Sequence, residues 1–171
     1  MHRRAFLTGL GALLVASCVE AQPTSDVSVS FFETVQRAPS RQSETYDELV
    51  LPSGTKMYVA RAPALVFYAA DIVSVVIRRN ASSQQYRAIV TLGADAATQL
   101  ARLSERNVGK RVDIRVNFER LGTPLIVAPI RSGRITLDTG TSRERIDRLF
   151  GPLGAKVSWP SESAPAAKPA R

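Results

Sequence analysis

The sequence predicts an α+β domain, a small mixed β-sheet with two main helices packed on one face. Three observations lead there. Several runs alternate apolar and polar residues with period two, most cleanly Arg111–Phe118. Two stretches, beginning near Asp95 and Ser142, carry apolar residues at helical spacing. Strands and helices follow one another across short turns marked by glycine and proline. With 171 residues the chain has room for one ordinary domain plus appendages. A composition of 44% hydrophobic and 22% charged residues fills one core.

Residues 1–21 read as an export signal. Arg3 and Arg4 precede the apolar run Phe6–Ala16, which is shorter than the roughly 20 residues a membrane-spanning helix needs. "RRAFLTG" resembles a twin-arginine motif, with an ordinary Sec signal as the alternative. "VASC", ending at Cys18, resembles a bacterial lipobox, whose cysteine is acylated and becomes the new N-terminus. "VEA" at Val19–Ala21 is the competing cleavage site; the lipobox is favoured because Cys18 is the only cysteine and a polar tether follows. Residues 22–48 are expected to form that tether, largely irregular, with one strand in the alternating Val27–Val35 stretch. Residues 49–160 form the folded domain, and the Pro/Ala-rich tail 161–171 is expected to be disordered.

Within the domain, Pro52-Ser53-Gly54 marks a turn before a short extended run, Lys56–Ala60. The β-branched Val73, Val75, Val76 and Ile77 predict a strand to about Arg79, and Tyr86–Leu92 returns as the other half of a hairpin. Asp95 opens a helix with Ala96, Ala97, Leu100, Ala101, Leu103 and Val108 on one face. Gly109 closes it in the left-handed conformation, with Lys110 and Arg111 at the negative end of the helix dipole. Gly109-Lys110 is not a phosphate loop, because the glycine a Walker motif requires five residues earlier is Ser104. In the next strand Val112, Ile114, Val116 and Phe118 face one way, leaving Arg111, Asp113, Arg115 and Asn117 on a wet face. "ERLGT" reads as a turn around Gly122, "PLIVAPI" as a buried strand interrupted at Pro129, and Ser132-Gly133 as a turn into Arg134–Leu137. A last helix, capped by Thr141 or Ser142, buries Ile146, Leu149 and Phe150 and ends at Pro152 and Gly154.

Composition removes whole classes of chemistry. A single cysteine excludes an intrachain disulfide and cysteine-based zinc or iron–sulfur sites, and the only histidine, His2, lies in the signal. The mature chain therefore builds no Ser-His-Asp triad, Cys-His pair or histidine metal site. Carboxylates such as Asp113 and Glu119 show no set spacing across a cleft. No enzyme, catalytic residue, cofactor, metal or small-molecule substrate is predicted. Of 23 basic and 15 acidic residues, cleavage before Cys18 removes only Arg3 and Arg4, leaving 21 and 15, a net charge of +6. Such a basic exported chain is drawn to anionic headgroups and acidic peptide segments. Nucleic acid is excluded as a partner, because no aromatic-rich basic motif is present.

The segments "AATQLARLSERNVGKRVDIRV" and "APIRSGRITLDTGTSRERIDRL" resemble the head of the large periplasmic domain of SecD, or of fused SecDF, an accessory subunit of the preprotein translocase. The likeness is carried by Ser104, Asn107, Gly109 and Lys110 at the helix end, Ala128-Pro129-Ile130, Gly133, and upstream Tyr58, Pro63, Asp71 and Ile72. It spans roughly Lys56–Leu153. The family's usual Asp-Gly turn is replaced here by a longer loop, Asn117–Gly122. The family's proton-driven pulling depends on transmembrane helices with no counterpart in these residues and is not carried over. Together with the signal, the lipobox and the composition, the resemblance implies a stand-alone, exported, non-enzymatic binding module in the periplasm, membrane-anchored as a lipoprotein. It would engage polypeptide or an envelope protein complex, linked to protein export; the alternative is a structural or regulatory envelope lipoprotein with a fixed protein partner. Candidate partner contacts are Arg111, Arg115, Phe118, Arg120 and Leu121, with Cys18 as the lipid anchor to the membrane surface and Arg3 and Arg4 as the export signal.

Overall fold

Alternating Val27, Val29 and Phe31 make Ser28–Val35 a strand (β1), and their side chains lie in the core. The computed structural model describes residues 27–37 and 45–159. Arg3, Arg4, Cys18 and the tail 161–171 lie outside the described residues.

Strand β1 is the centre of an antiparallel sheet. On one side it pairs with β7 (Val112–Val116), which in turn pairs with β8 (Glu119–Gly122). On the other side it pairs first with β4 (Leu65–Tyr68) and then with β3 (Lys56–Ala60), and β2 (Tyr46–Val50) lies outside β3. A second sheet has the order β10 (Val157–Ser158), β5 (Ile72–Arg79), β6 (Tyr86–Leu92), β9 (Arg134–Gly140). This sheet is mixed, because β10 runs parallel to β5 while the other pairs are antiparallel. The α+β class is as expected, with the strands divided between two sheets. Helices α1 (Ala94–Arg106) and α2 (Arg143–Phe150) bury Ala96, Leu100 and Leu103, and Ile146, Leu149 and Phe150, in one core with both sheets.

Four local expectations are corrected. The segment assigned to a tether contributes β1 and the start of β2, so the folded body already includes Val27–Val35 rather than starting near Glu48. "PLIVAPI" forms no strand; it crosses as an extended segment with a single bridge between Arg111 and Leu125. "ERLG" is strand β8 rather than a turn, and the turn is the residue pair Asn117-Phe118, both at positive φ. The linking loop is therefore tight, not long. Val108, expected on the apolar face of α1, is 45% exposed, because the helix has already ended at Asn107.

The motif at the end of α1 holds backbone. Gly109 has φ +79° and donates its N–H to Ile126 O at 2.8 Å. Buried Ser104 accepts from Ile130 N at 2.8 Å and donates to Ala101 O, while Asn107 Nδ2 donates to Leu103 O at 2.9 Å. The bonds of Ser104 to Ile130 N and of Gly109 to Ile126 O fasten Pro124–Ile130 to the helix terminus. Gly133, at φ +63°, meets the same helix further up: a Cβ there would lie 2.6 Å from Ala97 Cβ.

Gly109→Val is expected to cost about 1–2 kcal/mol, from backbone strain alone since nothing lies near its added Cβ. Gly133→Ala adds a steric clash to the strain and should cost about 2–3 kcal/mol. Combining it with Ala97→Gly should be less destabilising than the sum of the single changes. Denaturant unfolding of the four proteins against wild type measures this, and strict additivity would show that the two residues do not meet.

Candidate functional site

Alternation places Asp113 on the side of β7 expected to be wet, yet its side chain has 0% exposure. A carboxylate out of water requires charged donors. Arg115 Nε donates to it at 2.8 Å, Arg120 Nε at 2.6 Å and Thr123 Oγ1 at 3.4 Å. The Arg115 guanidinium also lies 4.2 Å over the ring of Phe32, the β1 residue paired with Asp113. The expected wet face is thus a second, small packed layer built from Phe32, Asp113 and the arginine stems.

The same hairpin is tied to the second sheet. Glu119 accepts from Arg145 Nε and from Arg148 Nη2 at 3.2 Å. Arg145 on α2 also donates to Thr139 O of β9 at 3.2 Å and to Arg120 O of β8 at 3.3 Å. Its hydrogen bond holds the Glu119 carboxyl below the ordinary 4.5, against the opposing effect of burial and with help from Arg148. At the turn, Asn117 is a hub. Its Oδ1 accepts from Ser28 N at 2.9 Å, its Nδ2 donates to Leu149 O at 3.0 Å, and its own N–H donates to Ser28 O. Next to it Phe118, at φ +66°, is 90% exposed.

The five candidate contacts therefore separate. Arg115 and Arg120 converge on Asp113, and Arg111 donates to Thr123 O at 2.7 Å beside them. Leu121 packs against the core. Phe118 alone projects, at the hairpin tip.

One feature was not anticipated. Strand β9 is the outer strand of its sheet, and its free edge faces Leu121–Ile130 across a groove. The groove opens into an apolar cavity of about 220 Å³ lined by Phe31, Leu100, Leu103, Val127, Ile130 and Ile135. A neighbouring space of about 280 Å³ shares Ile114, Pro124 and Thr136 with it. Leu125 and Val127 stand at the rim, 47% and 79% exposed. The signal available in the sequence was an apolar run, "PLIVAPI", whose prolines deny it a full place in a sheet. Among the described residues no cluster of three His, Cys, Asp or Glu is placed to hold a metal, and no helix is long and apolar enough to cross a membrane.

No known family profile matches the chain, and no curated protein matches it. Among solved structures, it is similar to a SecDF described as a membrane component that enhances protein export, with a TM-score of 0.54 and 16% identity over 75% of this chain and 62% of that one. It is also similar to SecDF in a super-membrane-facing form, with a TM-score of 0.52 and 15% identity over 76% of this chain and 19% of that one. The chain spans less than two thirds of either protein, and at this identity the likeness is one of fold: SecD-like, α+β.

Because Asp113 is buried, Arg120→Gln should lower stability by about 1–3 kcal/mol, whereas Arg111→Gln, on an exposed backbone contact, should stay within about 0.5 kcal/mol. Glu119 adds a pH dependence. A carboxyl whose pKa is lowered on folding contributes stability above its unfolded value, and that stability is lost as pH falls through the folded value. The melting-temperature gap between wild type and Glu119→Gln should therefore be present at pH 7 and close as pH falls through the lowered folded value, beneath the ordinary 4.5. A gap that persists in acid would remove the ionised Glu119 as its cause.

Proposed function

We propose that this chain is a non-enzymatic, exported binding module that holds a polypeptide segment in extended form, in the setting of protein export. The observation that carries the reading is the free edge of β9 beside an apolar cavity with Leu125 and Val127 at its rim. An extended chain can add to a sheet edge through backbone hydrogen bonds, which are indifferent to sequence, while alternate side chains enter an adjoining apolar space. The apolar lining of the 220 Å³ cavity suits one or two apolar side chains of such a chain. The likeness to SecDF and the signal-like start of the sequence agree with an exported protein that handles polypeptide in the periplasm. The lipobox-like "VASC" supports tethering through Cys18. The arginines take a secondary part, since Arg115 and Arg120 are committed to Asp113.

The test is binding of a fluorescent, permanently unfolded polypeptide followed by anisotropy. Ala128→Trp, which crowds the cavity entrance from an exposed position, should weaken binding about tenfold or more while the melting temperature holds. Binding should persist at 0.5 M salt, where exposed charges are screened within a few ångströms. Undiminished binding by Ala128→Trp would remove the groove as the site, and loss of binding in salt would return it to the exposed arginines.

A further inference from the structure

Phe118 occupies a position built for glycine. In a two-residue turn with both residues at positive φ, the favoured pair is Asn-Gly, and here Asn117 has φ +49° while Phe118 has φ +66°. A bulky residue in that region is strained. Nothing in the fold offsets the strain, because the ring is 90% exposed, the most exposed large apolar side chain among the described residues. Nor is the tip free to fold back: the Asn117 side chain pins it to Ser28 and to Leu149 O. The protein thus holds an aromatic ring outward at a conformational cost.

The surroundings indicate what it faces. Ser28, bonded to Asn117, begins β1, and Tyr68, 61% exposed, is the β4 residue paired with it. Beyond Tyr68 the turn exposes Ala70, and Lys156 Nζ reaches that turn at Ala69 O. Arg148, 69% exposed, lies on the helix that receives the Asn117 bond. This end therefore combines two protruding aromatics with Lys156 and the ion pair of Arg148 and Glu119, a mix of aromatic and charged groups that suits the headgroup zone of a bilayer. It is also where the chain enters the domain. Cys18 precedes Val27 by nine positions, a reach of at most about 30 Å. We propose that the Phe118 hairpin tip, with Tyr68, inserts into the membrane surface beside the anchor and orients the domain on it, leaving the groove along β9 open to polypeptide. The placement rests on the reading of Cys18 as the anchor.

The experiment uses the chain from residue 18 onward, made without lipid and with Cys18→Ser, so that every described residue is kept. Phe118→Trp is introduced with Trp159→Phe, which leaves position 118 as the single indole. Added to phosphatidylethanolamine/phosphatidylglycerol vesicles, it should shift its emission to the blue and be quenched by lipids brominated along the acyl chain. The same indole placed by Val127→Trp should not. Phe118→Gly should weaken vesicle binding about tenfold while the melting temperature holds or rises, since glycine accepts φ +66° without penalty. An indole at 118 that stays unquenched, or vesicle binding unchanged by Phe118→Gly, overturns the inference, as does quenching only when unfolded polypeptide is present. Mass spectrometry of the native protein tests the anchor separately. An acylated Cys18 with an unquenched indole leaves the anchor standing without the insertion, and quenching of the unlipidated chain supports the insertion even where Cys18 is unmodified.

Discussion

The carboxylate of Asp113 has no access to water, and this constraint organises the β7–β8 side of the molecule. A buried charge is tolerated only with charged, well-directed donors, and Arg115 and Arg120 are those donors. From Arg120 the network continues: its carbonyl accepts from Arg145, which also holds Glu119 and Thr139 O. One chain of ion pairs and hydrogen bonds to backbone carbonyls thus runs from the middle of the first sheet, through the β7–β8 hairpin, to the end of β9 and to α2. Two sheets that share a core also need their edges held in register, and this network does that at the point where β8 and β9 approach.

The consequence for function is a separation of roles. Arginine excess in a basic protein suggests an electrostatic binding face, but the arginines of β7 and β8 are occupied in holding the fold. Around those strands the fold leaves two apolar features unoccupied: the groove along β9 with Leu125 and Val127, and the Phe118 tip with Tyr68. The two lie in different parts of the β7–β8 region and differ in kind. The first offers backbone partners and a cavity, which suits an extended chain. The second offers a rigid, strained aromatic, which suits insertion into a soft apolar medium.

The resemblance to SecD is carried by residues that set backbone geometry. Ser104, Asn107 and Gly109 bond to backbone of α1 or of Pro124–Ile130, and Gly133 allows the closest approach of a turn to α1. Residues of this kind fix the architecture, in line with a likeness of fold at 16% identity. They say nothing of what is bound.

The sequence by itself determined what depends on residues a few positions apart. The apolar spacing of α1, the Ser142 cap whose Oγ accepts from Arg145 N at 3.1 Å, the left-handed Gly109 and the β5–β6 hairpin were all legible, because each is a balance struck within one turn or one pair of neighbouring strands. Tertiary structure decided which strands are neighbours and what covers each face. Strand β1 looked like part of a tether until β7, more than 75 residues away, paired with it and its alternate residues joined the core. Asp113 looked solvent-facing because alternation specifies two faces without saying that the second is covered, here by Phe32 and two arginine side chains. "PLIVAPI" had the composition of a strand and the prolines of an edge; the long-range bonds to Ser104, Gly109 and Lys110 made it a rim instead. Periodicity fixes the direction of each side chain relative to its own backbone, and only the packed chain supplies what lies in that direction.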